Sequence, residues 1–580
     1  MRARTSSTSR VATALLGGAS LGAVLLAGVS TSGQGETDPR ELFASSDQCQ
    51  SCHNELGMED GEDLSIGLAW RATMMAQSAV DPYWRAGVRR EIGDHPAAGA
   101  AIQDECSKCH KPMQRYVNRE LGRKGRVFPA PGAERDPATA ADGPLALDGA
   151  SCTICHQILP DNLGSEESFV GGFEVDRAAP AGRRTIDAPY EIAKATKRVM
   201  RSATGFEPGE ADHLQSPELC ATCHTLYTES LDDEGNPIGR FPEQVPYLEW
   251  RHSDYAEGRA GERTCQQCHM ATAERDNPIS SVIGKPREHF SQHSFRGGNF
   301  FVLQLIGDNR GEVGARADSR ELALGGQRTR EHLESAAAEL EIDPSRTGLE
   351  GGRLRVEVAV RNLAGHKLPT AYPSRRAWIE LRVEDENGDE LFSSGALRPD
   401  GSIAGNDNDQ DAARFEPHYD EITGADQVQI YEPIMGRPDG AVTTGLLQAT
   451  RYLKDNRLLP LGFDKASAAG DVAVHGAARE DDSFAAGGDR LAYAIDVEPE
   501  AGPLRVTARL YYQPIGHRWA RNLAEVDAEE TRAFGEMYER SAGRDTALCL
   551  AADTALVEPR KPSPSDTPSQ ETDIRAEEEQ

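Results

Sequence analysis

The sequence repeats one pattern five times: CQSCH at residues 49–53, CSKCH at 106–110, CTICH at 152–156, CATCH at 220–224 and CQQCH at 265–269. These copies contain ten of the 11 cysteines, and only Cys549 lies outside them. Every Cys-x-x-Cys in the chain is followed by a histidine. The cysteines are therefore organised around one chemical task that is repeated five times.

The pattern Cys-x-x-Cys-His is the attachment signature of c-type haem. Its two thiols bond to the vinyl groups of a haem, and the adjacent histidine is held beneath the iron as the proximal ligand. A single copy is also compatible with a redox dithiol. A zinc site would use two Cys-x-x-Cys units per metal, which does not fit five units. A disulfide framework gives no reason for a histidine after each second cysteine.

The sequence therefore predicts five covalently attached haem c groups. The predicted attachment residues are Cys49, Cys52, Cys106, Cys109, Cys152, Cys155, Cys220, Cys223, Cys265 and Cys268. The predicted proximal iron ligands are His53, His110, His156, His224 and His269. The region that carries them, 40–315, is rich in glycine, proline and charge and has only short helical stretches. Because such a segment buries little side-chain surface by itself, we expect the haems to fill a mainly helical and irregular cytochrome domain.

Each iron has a second axial position, and ten of the 15 histidines lie outside the motifs. His213 is close in sequence to Cys220, and His293 lies in HFSQHSFRGGN at 289–299, so these two are the first candidates for a distal ligand. His252 lies among polar residues and is equally well explained as an exposed side chain. Methionine is the other common sixth ligand. The remaining candidates in this region are His95, His289 and Met75.

The first 33 residues are typical of an export signal for the general secretion route. Arg2, Arg4 and Arg10 precede an apolar stretch from Val11 to Val29, and small residues follow it. A retained membrane anchor is the alternative. After residue 40 no apolar run reaches the roughly 18 residues of a membrane-spanning helix. The sequence therefore predicts a periplasmic, extracellular or cell-surface protein with no transmembrane span once the signal is cleaved.

The second half has a different pattern and predicts an all-β sandwich domain over 351–525. Apolar residues alternate with polar ones at Leu354, Val356, Val358 and Val360, and again at Leu491, Tyr493, Ile495 and Val497. We expect a linker helix within 316–350, spanning 329–341. A C-terminal helix and packing segment is expected over 526–552, and a disordered acidic tail over 553–580. The predicted chain is thus multidomain, with a haem-packed first part.

The segment NLAGHKLPTAYPSRRAWIEL at 362–381 places His366 in a loop between two predicted strands. One interpretation is a polar loop residue. The other is that the sandwich lends His366 to a nearby haem as the distal ligand, which would fix the two domains against each other. Arg375 and Arg376 either pair with haem propionates or brace the loop.

Taken together, these segments resemble exported bacterial multihaem c-type cytochromes, a family loosely related to the tetrahaem cytochrome c-554 group. The matching segments are DPYW at 81–84, ELCATCHTLY at 218–227, FPEQVPYLEW at 241–250, CQQCHM at 265–270, HSFRGGN at 293–299, GHKLPTAYPSRR at 365–376 and YLKDNRLLPLGFD at 452–464. The resemblance implies electron transfer at the cell envelope or outside the cell. It also implies functional roles for His213, His293 and His366.

The chain contains 580 residues and has a formal net charge of −31. That charge excludes a generic binder of nucleic acid or anionic membranes, since both need a basic surface. We expect redox partner proteins with basic docking surfaces, and electron transfer rather than catalysis. The alternatives are a nitrite- or hydroxylamine-type multihaem reductase with one open-coordinated haem, or a subunit of a larger extracellular conduit. No Cys-x-x-Cys-Lys, typical of pentahaem nitrite reductases, occurs.

Overall fold

The computed structural model of the chain describes residues 38–57, 63–129, 136–498, 502–541 and 546–559. The predicted export signal and most of the predicted acidic tail lie outside these ranges. The described residues form both helices and several sheets, so a mixed architecture is confirmed. Helices and irregular segments dominate the motif region, and strands dominate the rest.

The helices of the motif region are short, and each motif lies on one or at its end. The helices are α1 (Asp47–Gln50), α2 (Ile66–Arg71), α3 (Met74–Gln77), α4 (Pro82–Asp94), α5 (Gly99–His110), α6 (Pro112–Glu120), α7 (Pro144–Leu147), α8 (Cys152–Cys155), α9 (Lys194–Thr204), α10 (Pro217–Ala221), α11 (Pro246–Arg251), α12 (Cys265–His269), α13 (Phe300–Asp308), α14 (Arg310–Val313), α15 (Ser319–Ala336), α16 (Asp407–Gln410), α17 (His517–Ala524) and α18 (Glu529–Ser541).

Short strands connect some of these helices. A parallel pair consists of β1 (Arg184–Ala188) and β2 (Phe206–Glu210). A hairpin consists of β3 (Leu226–Leu231) and β4 (Pro237–Gln244), and a minor pair of β5 (Asn277–Pro278) and β6 (Pro286–Arg287). The later strands are β7 (Ala338–Ile342), β8 (Gly348–Glu350), β9 (Arg353–Asn362), β10 (Arg376–Glu384), β11 (Glu390–Ser394), β12 (Glu421–Ile422), β13 (Ile430–Tyr431), β14 (Pro433–Gly436), β15 (Val442–Thr443), β16 (Arg451–Asp455), β17 (Gly488–Asp496), β18 (Leu504–Gln513) and β19 (Leu548–Val557).

Two sheets share one hydrophobic core. One has the strand order β11-β10-β18-β19, with β13 beside β10, and the other has the order β12-β17-β9-β7, with β8 beside β9. The alternation predicted for β9 is present, since Leu354, Val356, Val358 and Val360 are all buried. The core cluster also includes apolar residues of α13, α15 and α18. Each such side chain contributes about 1.5–3 kcal/mol to folding when it is fully buried. Because the cluster contains residues from both halves of the chain, their burial holds the two halves together.

The linker helix differs from the prediction. Helix α15 begins ten residues earlier, at Ser319, because Asp318 and Glu321 form a capping box there. It ends at Ala336, and Leu340, which was predicted to be helical, lies in β7. Strand β7 pairs with β9, so the sheet starts before the predicted sandwich boundary at 351.

The C-terminal boundary also differs. Helix α18 buries Phe534, Met537 and Tyr538, which is the orientation expected from the sequence. Strand β19 then pairs antiparallel with β18 through Val557, so residues 553–557 belong to a sheet rather than to a disordered tail. The Asp553 carboxylate accepts a hydrogen bond from the Ile342 amide at 2.9 Å, which explains an acidic residue within this strand. None of the helices in the described ranges is long and apolar enough to cross a membrane.

Candidate haem-binding cavity

One large cavity connects the five motifs. Its volume is about 1560 Å³, and all ten motif cysteines and all five motif histidines are among its lining residues. Protein interiors are normally close-packed, with few voids larger than a water molecule. A pocket for a single small molecule measures about 300–1,000 Å³. The residues present therefore fit several large apolar groups held by paired thiols, as the haem prediction requires.

The motif histidines are oriented for metal binding by backbone carbonyls. The Nδ1 atoms of four of them donate hydrogen bonds to carbonyl oxygens on other segments: His53 to Ile279 at 2.5 Å, His110 to Ser78 at 2.9 Å, His156 to Asp187 at 2.6 Å and His269 to Arg296 at 2.5 Å. A hydrogen bond of this kind fixes the tautomer and leaves Nε2 free as the ligand atom. The indole of Trp84 also stacks on His110, with ring centroids 4.1 Å apart.

Burial keeps these imidazoles neutral, which is the state that binds a metal. It lowers the pKa of His110 and of His224 to about 4. Burial lowers the pKa of His293, on a loop between β6 and α13, to about 3. The nitrogens of these side chains therefore remain available as ligands throughout the neutral pH range.

Contacts between thiols show which motifs are neighbours. The Cys49 thiol of the first motif lies within hydrogen-bonding distance of Cys152 in the third. In the same way Cys109 of the second contacts Cys223 of the fourth. The fourth and fifth motifs meet through Cys220 and Cys265. Cys155 interacts electrostatically with Cys223. The motifs thus follow the spatial order first, third, fourth and fifth, with the second beside the fourth.

Two pairs of histidines have the separation that a six-coordinate iron requires. An imidazole nitrogen binds a first-row metal at about 2 Å, and the ring centroid lies roughly 1 Å behind it, so two ligands on opposite sides of a metal have centroids about 6 Å apart. His156 and His293 have centroids 6.2 Å apart with an interplanar angle of 18°. His269 and His366 have centroids 6.2 Å apart with an angle of 9°. Each pair combines a motif histidine with a predicted distal candidate.

The other predicted distal ligands have varied surroundings. Met75 lines the cavity, whereas His95, His213 and His289 are not among its lining residues. The Nε2 atom of His213 lies 2.8 Å from the Ile158 carbonyl and donates to it instead of facing the cavity. His95 is buried, and its Nε2 has no hydrogen-bond partner among the described residues. The ligand roles of His213, Met75, His95 and His289 stay predictions.

His332 lines the cavity but was not predicted. Its ring lies 5.8 Å from that of His269, at an angle of 59°, and burial lowers its pKa to about 4. The signal in the sequence was helical spacing. The cavity-facing positions of α15 are Gly325, Thr329, His332, Leu333 and Ala336. A histidine in a helical stripe of small and apolar residues is the pattern that could have identified it.

The loop that carries His366 is held by buried charges. Lys367 donates to Asp455 at 2.6 Å, and Arg457 donates to the same carboxylate at 2.8 Å. Arg457 also pairs with Glu249 of α11 at 2.9 Å, and the backbone N–H of Lys367 donates to Glu249 at 3.1 Å. These contacts join the loop to both halves of the chain and fix the position of His366.

The two arginines of this segment have different roles. Arg375 lines the cavity, and its guanidinium donates to the Thr370 carbonyl at 3.1 Å. Its pairing with a haem propionate stays a prediction. Arg376 is buried and pairs with Asp409 at 2.8 Å, so it braces the sheet instead.

Acidic and phenolic groups line the cavity beside the second motif. Burial, together with repulsion from Glu91, raises the pKa of Glu243 to about 8, so its carboxyl group is protonated at neutral pH. Glu91 accepts hydrogen bonds from the backbone amides of Leu446 and Leu447. Burial also raises the pKa of Tyr372 well above its ordinary value. This part of the cavity can therefore store a proton close to Cys106.

No family model and no curated protein matches this sequence. The chain is similar to a solved structure described as a penta-heme cytochrome c552 from Thermochromatium tepidum. The two share 16% sequence identity with a TM-score of 0.49, and the alignment covers 89% of this chain and 100% of the other. The functional interpretation therefore rests on the motifs and on the geometry of the cavity.

Proposed function

We propose that the chain is an exported electron-transfer protein that carries five covalently attached haem c groups in the periplasm or at the cell surface. The single observation that carries this proposal is the convergence of all five Cys-x-x-Cys-His motifs on one cavity. The bound haems would supply reversible one-electron chemistry. The ten cysteines would attach them, and the motif histidines would hold the irons through Nε2.

The arrangement of motifs supports electron carriage. Thiols of the first and third, the second and fourth, and the fourth and fifth motifs interact directly, and the third and fourth interact electrostatically, so the five motifs form one connected row. The pairs His156–His293 and His269–His366 would supply both axial ligands to two irons, which leaves those irons without a free position for a substrate. These features favour a carrier over a catalyst.

Mass spectrometry of the mature protein tests the proposal directly. Five haem additions are expected for the wild-type chain. Replacing Cys152 and Cys155 together by alanine should reduce the number to four, because the third motif loses both attachment points. The Cys549→Ala variant is the control and should retain five. Fewer than five additions in the wild-type protein would contradict the proposal.

A second candidate, a multihaem reductase, is favoured by the groups beside the second motif. Glu243 is protonated at neutral pH and interacts electrostatically with Tyr372, and a reductase needs such a proton source at an open iron. Among the described residues that line the cavity, only three histidines lie outside the motifs, which is fewer than the five predicted irons. Carbon monoxide binding and a high-spin signal in the reduced holoprotein would support this candidate. A fully low-spin protein would exclude it.

Glu243 is expected to couple one haem potential to pH. Reduction adds negative charge near Glu243 and so raises its affinity for a proton. The potential of one haem should therefore fall as the pH rises above about 8, approaching about 59 mV per pH unit. In the Glu243→Gln variant this dependence should disappear, as measured by potentiometric titration between pH 6 and pH 10.

The matched control is Glu105→Gln. Glu105 also lines the cavity beside the second motif, but it pairs with Lys108 at 2.7 Å and its side chain is 39% exposed. This variant should keep the wild-type slope. A slope that survives in the Glu243→Gln variant would show that another group takes up the proton.

A further inference from the structure

Helix α9 has two opposed faces. Its cations, Lys194, Lys197, Arg198 and Arg201, have the spacing i, i+3, i+4 and i+7 and therefore lie on one side of the helix. The residues Thr196, Val199, Met200 and Ala203 have the same spacing on the opposite side, and all four line the cavity. The helix thus covers the cavity with its apolar side and presents its basic side outward.

The helix lies over the first and third motifs. Strand β1, immediately before it, accepts the Nδ1 hydrogen bond of His156 at Asp187. The neighbouring segment 279–287 accepts the corresponding bond of His53 at Ile279. Arg287 joins the two segments through a 2.9 Å hydrogen bond to the Glu191 carbonyl. This surface is therefore at the end of the motif row away from the fifth motif and His366.

The outward side of α9 carries positive charge that is largely free of ion pairs with described residues. We call it the α9 face and define it by Lys194, Lys197 and Arg198. Val282, Ile283 and Lys285 of the neighbouring segment line the cavity and are not part of this face. Arg201 is already paired with Glu207 at 3.2 Å, whereas Lys194, Lys197 and Arg198 form no ion pair with a described residue.

The charge of this face is opposite to that of the whole chain. Helix α9 carries four cations and no acidic residue in a protein of net charge −31. Since the rest of the protein repels acidic proteins, a local basic surface selects where such a protein can approach and how it is oriented. A basic partner, which the overall charge predicts, would be repelled from this face.

We infer that the α9 face docks an acidic redox protein that exchanges electrons at the first and third motifs. This inference rests on the proposed function and adds to it the chemistry of one partner and the place where it binds. In the exchange the partner loses one electron and the loaded protein gains it, so no bond is formed or broken. The direction reverses if the partner is the acceptor.

The test compares two triple variants of the holoprotein. One carries Lys194→Glu, Lys197→Glu and Arg198→Glu. The control carries Arg320→Glu, Arg479→Glu and Arg505→Glu, three exposed arginines outside the α9 face, so that each triple replaces three positive charges with three negative ones. The probe is flavodoxin, an acidic one-electron donor. Binding of oxidised flavodoxin is measured by calorimetry, and reduction by flavodoxin hydroquinone is measured by stopped flow at increasing ionic strength.

The α9 triple is expected to lower the rate constant at low ionic strength at least tenfold and to remove calorimetric binding, whereas the control retains most of both. The wild-type rate should fall as salt rises, and the α9 triple should lose that dependence. Equal losses in the two triples would overturn the inference, because total charge rather than the α9 face would then control the encounter.

Other occupants give distinct results that would also overturn the inference. Binding to phosphatidylglycerol vesicles that only the α9 triple loses, with unchanged flavodoxin rates, would assign the face to a membrane surface. A wild-type dimer that the α9 triple converts to a monomer would assign it to a second copy of the chain. Altered haem potentials with unchanged salt dependence would assign the cations to haem propionates.

Failure of the proposed function has a different signature. Dithionite is small and needs no docking surface, so it should reduce wild-type protein and both triples alike. If it fails to reduce a wild-type protein that carries haem, the electron-transfer proposal fails. If it reduces all three proteins while flavodoxin does not distinguish the triples, only the docking inference fails.

Discussion

Replacement of His366 by methionine is expected to raise the midpoint potential of one haem by about 100 mV or more and to leave the other four unchanged. A methionine opposite a histidine raises a haem potential, and axial ligands together span about 0.8 V. His366 lies 6.2 Å from His269, centroid to centroid, with nearly parallel rings. Potentiometric titration with visible and electron paramagnetic resonance spectra would measure the shift.

The control for this prediction is the same substitution at His332. Both histidines approach His269, but the centroid separation of His366 from His269 is 6.2 Å, as in the His156–His293 pair, whereas that of His332 is 5.8 Å. His332→Met should therefore leave every potential within a few tens of millivolts of the wild-type value. If His332→Met shifts one potential and His366→Met shifts none, the distal ligand is His332. If neither variant changes a potential, His366 is a loop residue.

Local patterns in the sequence were sufficient for several elements. The alternation from Leu354 to Val360 identified β9, because each residue of a strand faces the side opposite to that of its neighbour. The apolar spacing of Phe534, Met537 and Tyr538 identified the buried side of α18. Strand β19 was missed because its pairing with β18 depends on residues far away in the sequence.

The candidate site, like the fold, was predictable where it depends on residues that are close together in the sequence. The motifs identify the attachment residues, since both cysteines and the histidine are contiguous. The neighbours of each motif depend on tertiary contacts such as Cys49–Cys152, and no spacing in the sequence specifies them. His213 was selected for its nearness to Cys220 in the chain. In the fold its Nε2 donates to the Ile158 carbonyl, a contact that distance along the chain does not show, and its ligand role stays a prediction.

The charges behind His366 provide the second large expected effect. Asp455 is 1% exposed and accepts hydrogen bonds from two cations, Lys367 and Arg457. Asp455→Asn keeps the size of the side chain but leaves those cations with Glu249 as their remaining buried counter-ion. Breaking a buried pair by removing one partner costs about 3–5 kcal/mol. We therefore expect the unfolding free energy of the holoprotein to fall by that amount, as measured by urea unfolding followed by circular dichroism.

The pH dependence of this loss has a definite sign. Burial raises the pKa of Asp455, but attraction by Arg457 and Lys367 outweighs it and holds the pKa well below the ordinary value. Between the folded and unfolded pKa values the unfolded chain binds the additional proton, so stability rises with pH there. The contribution of Asp455 is therefore fully present above about pH 4 and is lost below it. The Asp455→Asn variant should lack this part of the acid dependence.

An exposed ion pair separates the effect of burial from that of charge alone. Arg361 and Glu339 are 2.6 Å apart, with side chains 65% and 55% exposed, and Glu339→Gln should cost less than about 1 kcal/mol. Because Lys367 follows His366 directly, Asp455→Asn should also broaden or shift the spectrum of the haem that responds to His366→Met, whereas Glu339→Gln should not. Equal destabilisation by the two variants would show that the buried charges do not hold the loop. A large destabilisation by Asp455→Asn with an unchanged haem spectrum would show that they stabilise the sheet without positioning His366.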